Sequence, residues 1–344
     1  MADEAKATAS VLSIKRRVPI KSSPLDFVTA ELLPSGANLP VVIRPSSHDV
    51  DPVGWASLAR DEILNLLARH GGVLFRGFDI SSELQFQRFI QALSGDPLPY
   101  TERSSPRTQV KGNIYTSTDH PPDQSIFLHC ENSYQKTWPL KIFFYCHTQP
   151  EHGGETPVAD VRRVLARIDP AVRETFRQKG VLYVRNFGNG LGLPWQTVFQ
   201  TESRHDVEEY CRAGGIECQW HDGNRLTTRH VRKAVRKHPH TGDDVWFNHA
   251  VFFHFSTLPV DAQSTLQALL CEEELPNNTY YGDGTPIPSD VLDHLRNAYA
   301  EETVYFPWTH RDVLMLDNML AAHGRSPYSG ARKILVGMSE PYSE

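Results

Sequence analysis

Two histidines and one carboxylate stand out as residues that could do chemistry together. His129 and Glu131 form a His-x-Glu pair, and His323 opens a run read HGRSPYSGARKILVGM near the other end of the 344-residue chain. On a β-strand, residues i and i+2 point to the same side. His129 and Glu131 would then aim an imidazole and a carboxylate at one point, with Cys130 facing away. His323, brought in from a distant strand, would complete two histidines and one carboxylate on one face of a metal ion. Such a facial set leaves positions open and suits non-haem Fe(II); it is not the thiolate-rich set of a structural zinc.

A His-x-Glu pair is weak evidence alone. With 16 histidines and 41 acids, about two His-x-Asp/Glu pairs are expected by chance. Two occur, His129/Glu131 and His310/Asp312. Only the first is followed by a Gly-Gly-Glu-Thr turn, Gly153 to Thr156; the second lies only 13 residues before His323 and has no such turn behind it.

The elements that must position these residues can be read in outline. Trp55 to His70 has apolar residues at helical spacing, Gly71-Gly72 stops it, and residues 73–78 (VLFRGF) read as a buried strand. Ser81 or Ser82 caps a helix to about Leu93. Residues 99–125, rich in Thr, Ser, Pro and Arg, form a long irregular stretch leading into His129, the kind that is often functional; Arg103, Arg107 and Tyr115 are its candidates for meeting a substrate. Residues 126–146 give two strand-like runs around Trp138-Pro139. Two short helices broken at Asp169-Pro170 precede a strand over 181–187. Strands over 216–220 and 225–230 form a hairpin through Asp222-Gly223. The aromatic run 246–255 supplies core residues in Phe253 and Phe255, and Trp246, Asn248 and His249 as pocket candidates. Helices over 260–275 and 288–300 are followed by strand material over 305–317, interrupted near Thr309 to Asp312, and a closing strand over 333–339.

Composition narrows the class. Hydrophobic content of 40% and charged content of 22% are those of a globular domain with ample chain for a core. A net charge of −6 and a pI near 6.2 give no support for a nucleic-acid surface. Cysteines 130, 146, 211, 218 and 271 show no metal-binding spacing and read as reduced thiols, and the polar N-terminus lacks a signal-peptide pattern, so the expected location is cytoplasmic. No apolar run is long enough for a membrane span. The first 24 residues read as a flexible tail and 25–344 as one domain, with 99–125 and 186–255 covering the site. Oligomeric state is not readable.

Taken in order, residues 70–78 (HGGVLFRGF), 101–110 (TERSSPRTQV), 114–134 (IYTSTDHPPDQSIFLHCENSY), 153–160 (GGETPVAD), 245–254 (VWFNHAVFFH) and 316–338 (LDNMLAAHGRSPYSGARKILVGM) resemble the taurine dioxygenase (TauD/TfdA-like) family of Fe(II)/2-oxoglutarate oxygenases. The subgroup most resembled is that of syringomycin-type amino-acid hydroxylases. The resemblance implies a mainly β fold with flanking helices around a double-stranded β-helix, or jelly-roll. It implies His129, Glu131 and His323 as iron ligands, with Thr156 and Arg332 binding the far carboxylate of 2-oxoglutarate; Arg325 and Lys333 lie near enough to be confused with Arg332. The implied co-substrates are 2-oxoglutarate and O2. The implied reaction is attack on an aliphatic C–H of an amino acid or amino-acid-derived small molecule, free or carrier-tethered, with hydroxylation as the default and desaturation or cyclisation as alternatives. Candidate substrate contacts are Arg107, Tyr115, Tyr134, Trp246 and Asn248. Two other classes compete: a zinc hydrolase using the same three ligands, and a non-catalytic regulator that keeps the fold. The first leaves Thr156 and Arg332 without a task, and the second predicts a lost ligand where none is lost.

Overall fold

The computed structural model describes residues 23–100, 107–118, 120–188 and 190–344. The expected tail falls almost wholly outside these residues, as does Arg103. An eight-stranded sheet runs in the order Val28–Glu31, Val41–Pro45, Gly72–Phe75, Val313–Asp317, Thr137–Thr148, Lys333–Ser343, Ile114–Thr116, Gln109–Lys111. Facing it is a three-stranded sheet, Ile126–His129, Ala321–Arg325 and Val158–Asp160. All these pairings are antiparallel except that of Val41–Pro45 with Gly72–Phe75. The two facing sheets form the jelly-roll core.

The central strand Thr137–Thr148 shows why the sequence forms this layer. Its residues are mostly aromatic or β-branched and it is buried almost throughout, so both faces need apolar partners. Phe143 and Tyr145 point into the core beneath the outer helices. Ile142, Phe144 and Cys146 point between the sheets, beside Leu314, Leu316, Ile334 and Val336. Trp138-Pro139, expected to separate two runs, lies inside this strand. Pro139 stands opposite Pro341, so two residues that cannot donate are matched to each other.

Helices cover the outer face. The expected single helix over Trp55 to His70 is two, Pro52–Leu58 and Arg60–His70, because Ala59 leaves helical geometry between them. Glu83–Ser94 follows, capped by the Ser82 hydroxyl, which accepts from the Gln85 N–H at 3.2 Å. A third layer lies beyond the smaller sheet. It is a four-stranded sheet, Glu217–His221, Arg225–Arg232, Val181–Phe187 and Asn277–Tyr281, with a large core around Trp138, Phe176, Tyr183, Trp246 and Phe247. The expected hairpin is there, with Gly223 and Asn224 turning in the left-handed region at φ 69° and 65°.

The interrupted stretch before Val313 has a structural use. The carboxylate of Asp312, the acid of the second His-x-Asp pair, is buried and takes Arg76 Nε at 3.0 Å and Nη2 at 2.6 Å. At the other end of the same strand, Asp317 is buried against Lys141 Nζ at 2.6 Å and His238 Nε2 at 3.2 Å. Burial by itself would raise the Asp317 carboxyl. The Lys141 charge and the His238 bond outweigh it and hold the group well below the usual carboxylate range. Removing one partner of such a pair strands the other charge. Lys141→Met is therefore expected to cost about 3–5 kcal/mol in urea unfolding at pH 7. The depressed Asp317 group contributes stability above its unfolded pKa of about 3.9 and loses it below, so the gap between wild type and variant narrows as pH falls under about 4.

Candidate metal centre

The strand Ala321–Arg325 brings the ligand candidates together. His323 lies directly opposite His129 on one side and opposite Val158, two residues beyond Thr156, on the other. The imidazole and carboxylate atoms of His129, Glu131 and His323 all lie within 4.8 Å of one another. His323 Nε2 is 3.8 Å from Glu131 Oε2, and the two imidazole rings are 4.6 Å apart. Gly324 is required for the approach, because a Cβ there would sit 2.6 Å from the Ile126 carbonyl.

The protonation states suit a metal. His129 Nδ1 donates to the Phe127 carbonyl at 2.8 Å, which leaves Nε2 as the lone-pair nitrogen. Burial holds the His129 imidazolium below its ordinary value. Burial, followed by the fields of His129 and Arg107, holds His323 well below it. Both rings are thus neutral near pH 7, the form that binds metal. Phe252 stacks parallel on His129 at 4.3 Å, and Phe144 lies 4.9 Å from His323. His249 Nε2 donates to the carbonyl of Cys130 at 2.8 Å, holding the backbone between the two ligand candidates.

Arg107 closes one side. Its Nη2 donates to Glu131 Oε2 at 2.7 Å, while its Nε and Nη1 are buried without a partner. On the other side, a narrow cavity lined by His129 and His323 continues to Thr156, Arg325 and Arg332. Thr156 is buried and its hydroxyl oxygen accepts from Trp308 Nε1 at 3.2 Å, so its own proton is available to donate. Arg332 Nε donates to the Gly154 carbonyl at 2.9 Å. Gly153 and Gly154 both turn at positive φ, and a Cβ on Gly154 would lie 3.0 Å from the Arg332 Cδ. The Gly-Gly turn is therefore shaped to seat the Arg332 stem. Among the described residues no carboxylate lies within ion-pair distance of Arg332 or Arg325. Burial, then the neighbouring Arg325 charge, brings the Arg332 guanidinium down to about 10, so the cavity favours an anion. Of its two sequence neighbours in role, Arg325 is occupied by the carbonyls of His120, Pro121 and Gln124, and Lys333 reaches toward Glu83.

Several substrate candidates are placed elsewhere. The Tyr115 hydroxyl accepts the Tyr100 N–H at 3.1 Å inside the main core. Trp246 is fully buried against Phe176. Asn248 is spent on the Ala234 carbonyl and the Ala250 N–H, holding its own loop. Tyr134 is fully buried, packed on His249 and Phe253, and accepts from Gln135. Each is taken by packing or by backbone groups, and only Arg107 of the five lines the cavity. The sequence reading missed Phe252, which sits in the aromatic run but looks like its core neighbours. It also missed Asn318, whose side chain bonds the Glu131 backbone.

The family model described as taurine catabolism dioxygenase TauD, TfdA family, matches residues 35–339. The chain belongs to this family. Its members are oxygenases that use Fe(II), 2-oxoglutarate and O2, so the chain is a non-haem dioxygenase. It is 41% identical over 276 residues to the dapdiamide synthesis protein DdaC of Enterobacter agglomerans, covering 80% of this chain and 84% of that one. It is 30% identical over 322 residues to a clavaminate synthase-like protein of Arabidopsis thaliana, covering 87% and 93%. The structure of PvcB, an Fe, alpha-ketoglutarate dependent oxygenase from an isonitrile synthetic pathway, shares the fold at a TM-score of 0.53 and 14% identity, covering 97% and 94%. No helix among the described residues is long and apolar enough to cross a membrane.

The N2O donor set, with both imidazoles neutral, fits Fe(II). Co(II), used as an oxygen-stable probe, is expected to bind at one ion per chain. Alanine at His129, Glu131 or His323 is expected to weaken that binding by more than about 100-fold, beyond the usual cost of losing an outer-sphere partner, as read by titration of the visible Co(II) bands.

Proposed function

We propose that His129, Glu131 and His323 hold Fe(II), that Thr156 and Arg332 hold the far carboxylate of 2-oxoglutarate, and that the enzyme hydroxylates an aliphatic C–H of an amino acid or an amino-acid-derived acid. The observation that carries this reading is the continuous cavity from the two imidazoles to Thr156 and Arg332. A dicarboxylate held at the His129 and His323 end would meet the Arg332 guanidinium and the Thr156 hydroxyl at the other. A zinc hydrolase would have no use for that second end.

When bound, the iron with its co-substrate and O2 supplies the oxidising power to break an unactivated C–H bond. The residues of the chain do the rest. Arg332, held by the Gly154 carbonyl, presents a planar cation for a carboxylate, and the Thr156 proton adds a donor. Phe252 and Phe144 wall the imidazoles with apolar rings and keep water from them. Arg107, which lines the same cavity and has two nitrogens, Nε and Nη1, without a partner, is where the carboxylate of a small acid would dock, so the oxidised carbon lies near that end. The similarity to a dapdiamide synthesis protein supports a place in specialised metabolism, with the substrate free or carrier-tethered. Segments 99–125 and 186–255 are proposed to cover the site, since the first supplies Arg107, Ser117 and Thr118 to the cavity and the second supplies Phe252.

The test needs no substrate. Anaerobic protein loaded with Fe(II) is titrated with 2-oxoglutarate, and the visible charge-transfer band of the chelate is followed. Wild type is expected to show the band, His129→Ala to lack it, and Arg332→Ala to need at least about tenfold more 2-oxoglutarate, the equivalent of a lost charge-assisted pair. No band in a wild type that binds zinc tightly would turn the assignment toward the hydrolase.

A further inference from the structure

The strand carrying His129 ends at that residue: Ile126–His129 is followed by a turn that contains Glu131. The strand alternation expected to aim both side chains therefore does not hold Glu131. Its neighbour Asn132 turns into the left-handed region at φ 57°, so the ladder cannot resume there. Something else must fix a metal-facing carboxylate that has left its sheet.

We propose that Asn318 is the residue that positions Glu131 for the metal, its side-chain amide standing in for the missing strand neighbour. The Glu131 N–H donates to Asn318 Oδ1 at 2.7 Å, and Asn318 Nδ2 donates back to the Glu131 carbonyl at 2.8 Å. This reciprocal pair is the one a peptide unit makes in an antiparallel ladder. The second Nδ2 proton goes to the Pro139 carbonyl at 2.9 Å. One N–H and two carbonyls around the amide fix its orientation, since the flipped amide would face oxygen with oxygen. Asn318 is fully buried, and its own anchor is rigid. Asp317 beside it is locked by Lys141 and His238 and accepts the Met319 N–H at 3.0 Å. The side chain thus transmits the position of the main sheet to the carboxylate. This is a positioning role, and it rests on the metal assignment proposed above.

Asn318→Ala deletes all three bonds. Asn318→Asp keeps the acceptor for the Glu131 N–H, loses both donors and sets a carboxylate against two carbonyls. Asp312→Asn weakens the remote Arg76 pair and serves as a stability control that leaves the metal site alone. Each protein is titrated anaerobically with Co(II), the visible bands are recorded, and folding is followed by circular dichroism and melting. We expect both Asn318 variants, folded, to bind Co(II) about 10–100-fold more weakly with altered band positions, while Asp312→Asn melts lower but binds Co(II) like wild type. A folded Asn318 variant of either kind with wild-type affinity and bands overturns the proposal, as does an equal loss of affinity in Asp312→Asn, which would make the effect one of general stability. If the alanine variant does not fold, the aspartate variant decides alone. Failure of the wild type itself to bind Co(II) or Fe(II) would instead overturn the metal assignment, and the two outcomes are distinct.

Discussion

The register of one short strand governs this site. Ala321–Arg325 sits between Ile126–His129 and Val158–Asp160, and its pairing sets His323 opposite His129 and opposite Val158. A slip of one residue would turn His323 to the other face and separate the two imidazoles. The register is held from several directions. Gly324 admits the Ile126 carbonyl where a side chain would clash. Ala321 and Ala322 pack on opposite sides, into the inter-sheet core and the outer core. The Leu320 carbonyl takes the Val161 N–H.

Burial then decides the chemistry. Two imidazoles in an apolar wall stay neutral, and a carboxylate among them must find a cation. Before any metal arrives, Arg107 supplies it. At the far end of the cavity, burial and then the neighbouring Arg325 charge depress Arg332, while burial depresses Arg325, and the carbonyls that hold them carry no net charge. One end of the cavity is therefore balanced by the Glu131 carboxylate and the other lacks a counter-anion, a polarity that fits the proposed placing of a dicarboxylate with its tail toward Arg332. The same logic explains the Lys141–Asp317–His238 cluster, where charge is buried but internally balanced, and which serves as foundation rather than as binding site.

The outer layers contribute by exclusion. The aromatic run after Trp246 divides its rings between two tasks: Trp246 and Phe247 fill the outer core, and Phe252 covers His129. Such a division cannot be read from hydrophobic pattern, because each ring is apolar and the turn geometry of the segment chooses which faces inward.

Much was legible from the sequence alone, and the reason is chemical. Two histidines, an acid, a Gly-Gly-Glu-Thr turn and a downstream arginine are residue types with narrow uses, and their order is preserved by the chain whatever its fold. Periodicity likewise located most helices and strands, including the capped helix after Ser82 and the hairpin at Gly223, since burial on one face imposes its period locally. The tertiary structure decided what depends on residues far apart. It gave Arg325 the carbonyls of His120, Pro121 and Gln124 and turned Lys333 toward Glu83, partners that Arg332 does not share. It assigned Asp312 to Arg76. It withdrew Tyr115, Tyr134, Trp246 and Asn248 into packing and backbone bonds. It also placed Glu131 beyond the end of its strand, where a side chain from a segment distant in sequence, Asn318, replaces the lost ladder. Sequence spacing carries no record of such a contact, because the two residues become neighbours only when the sheets close.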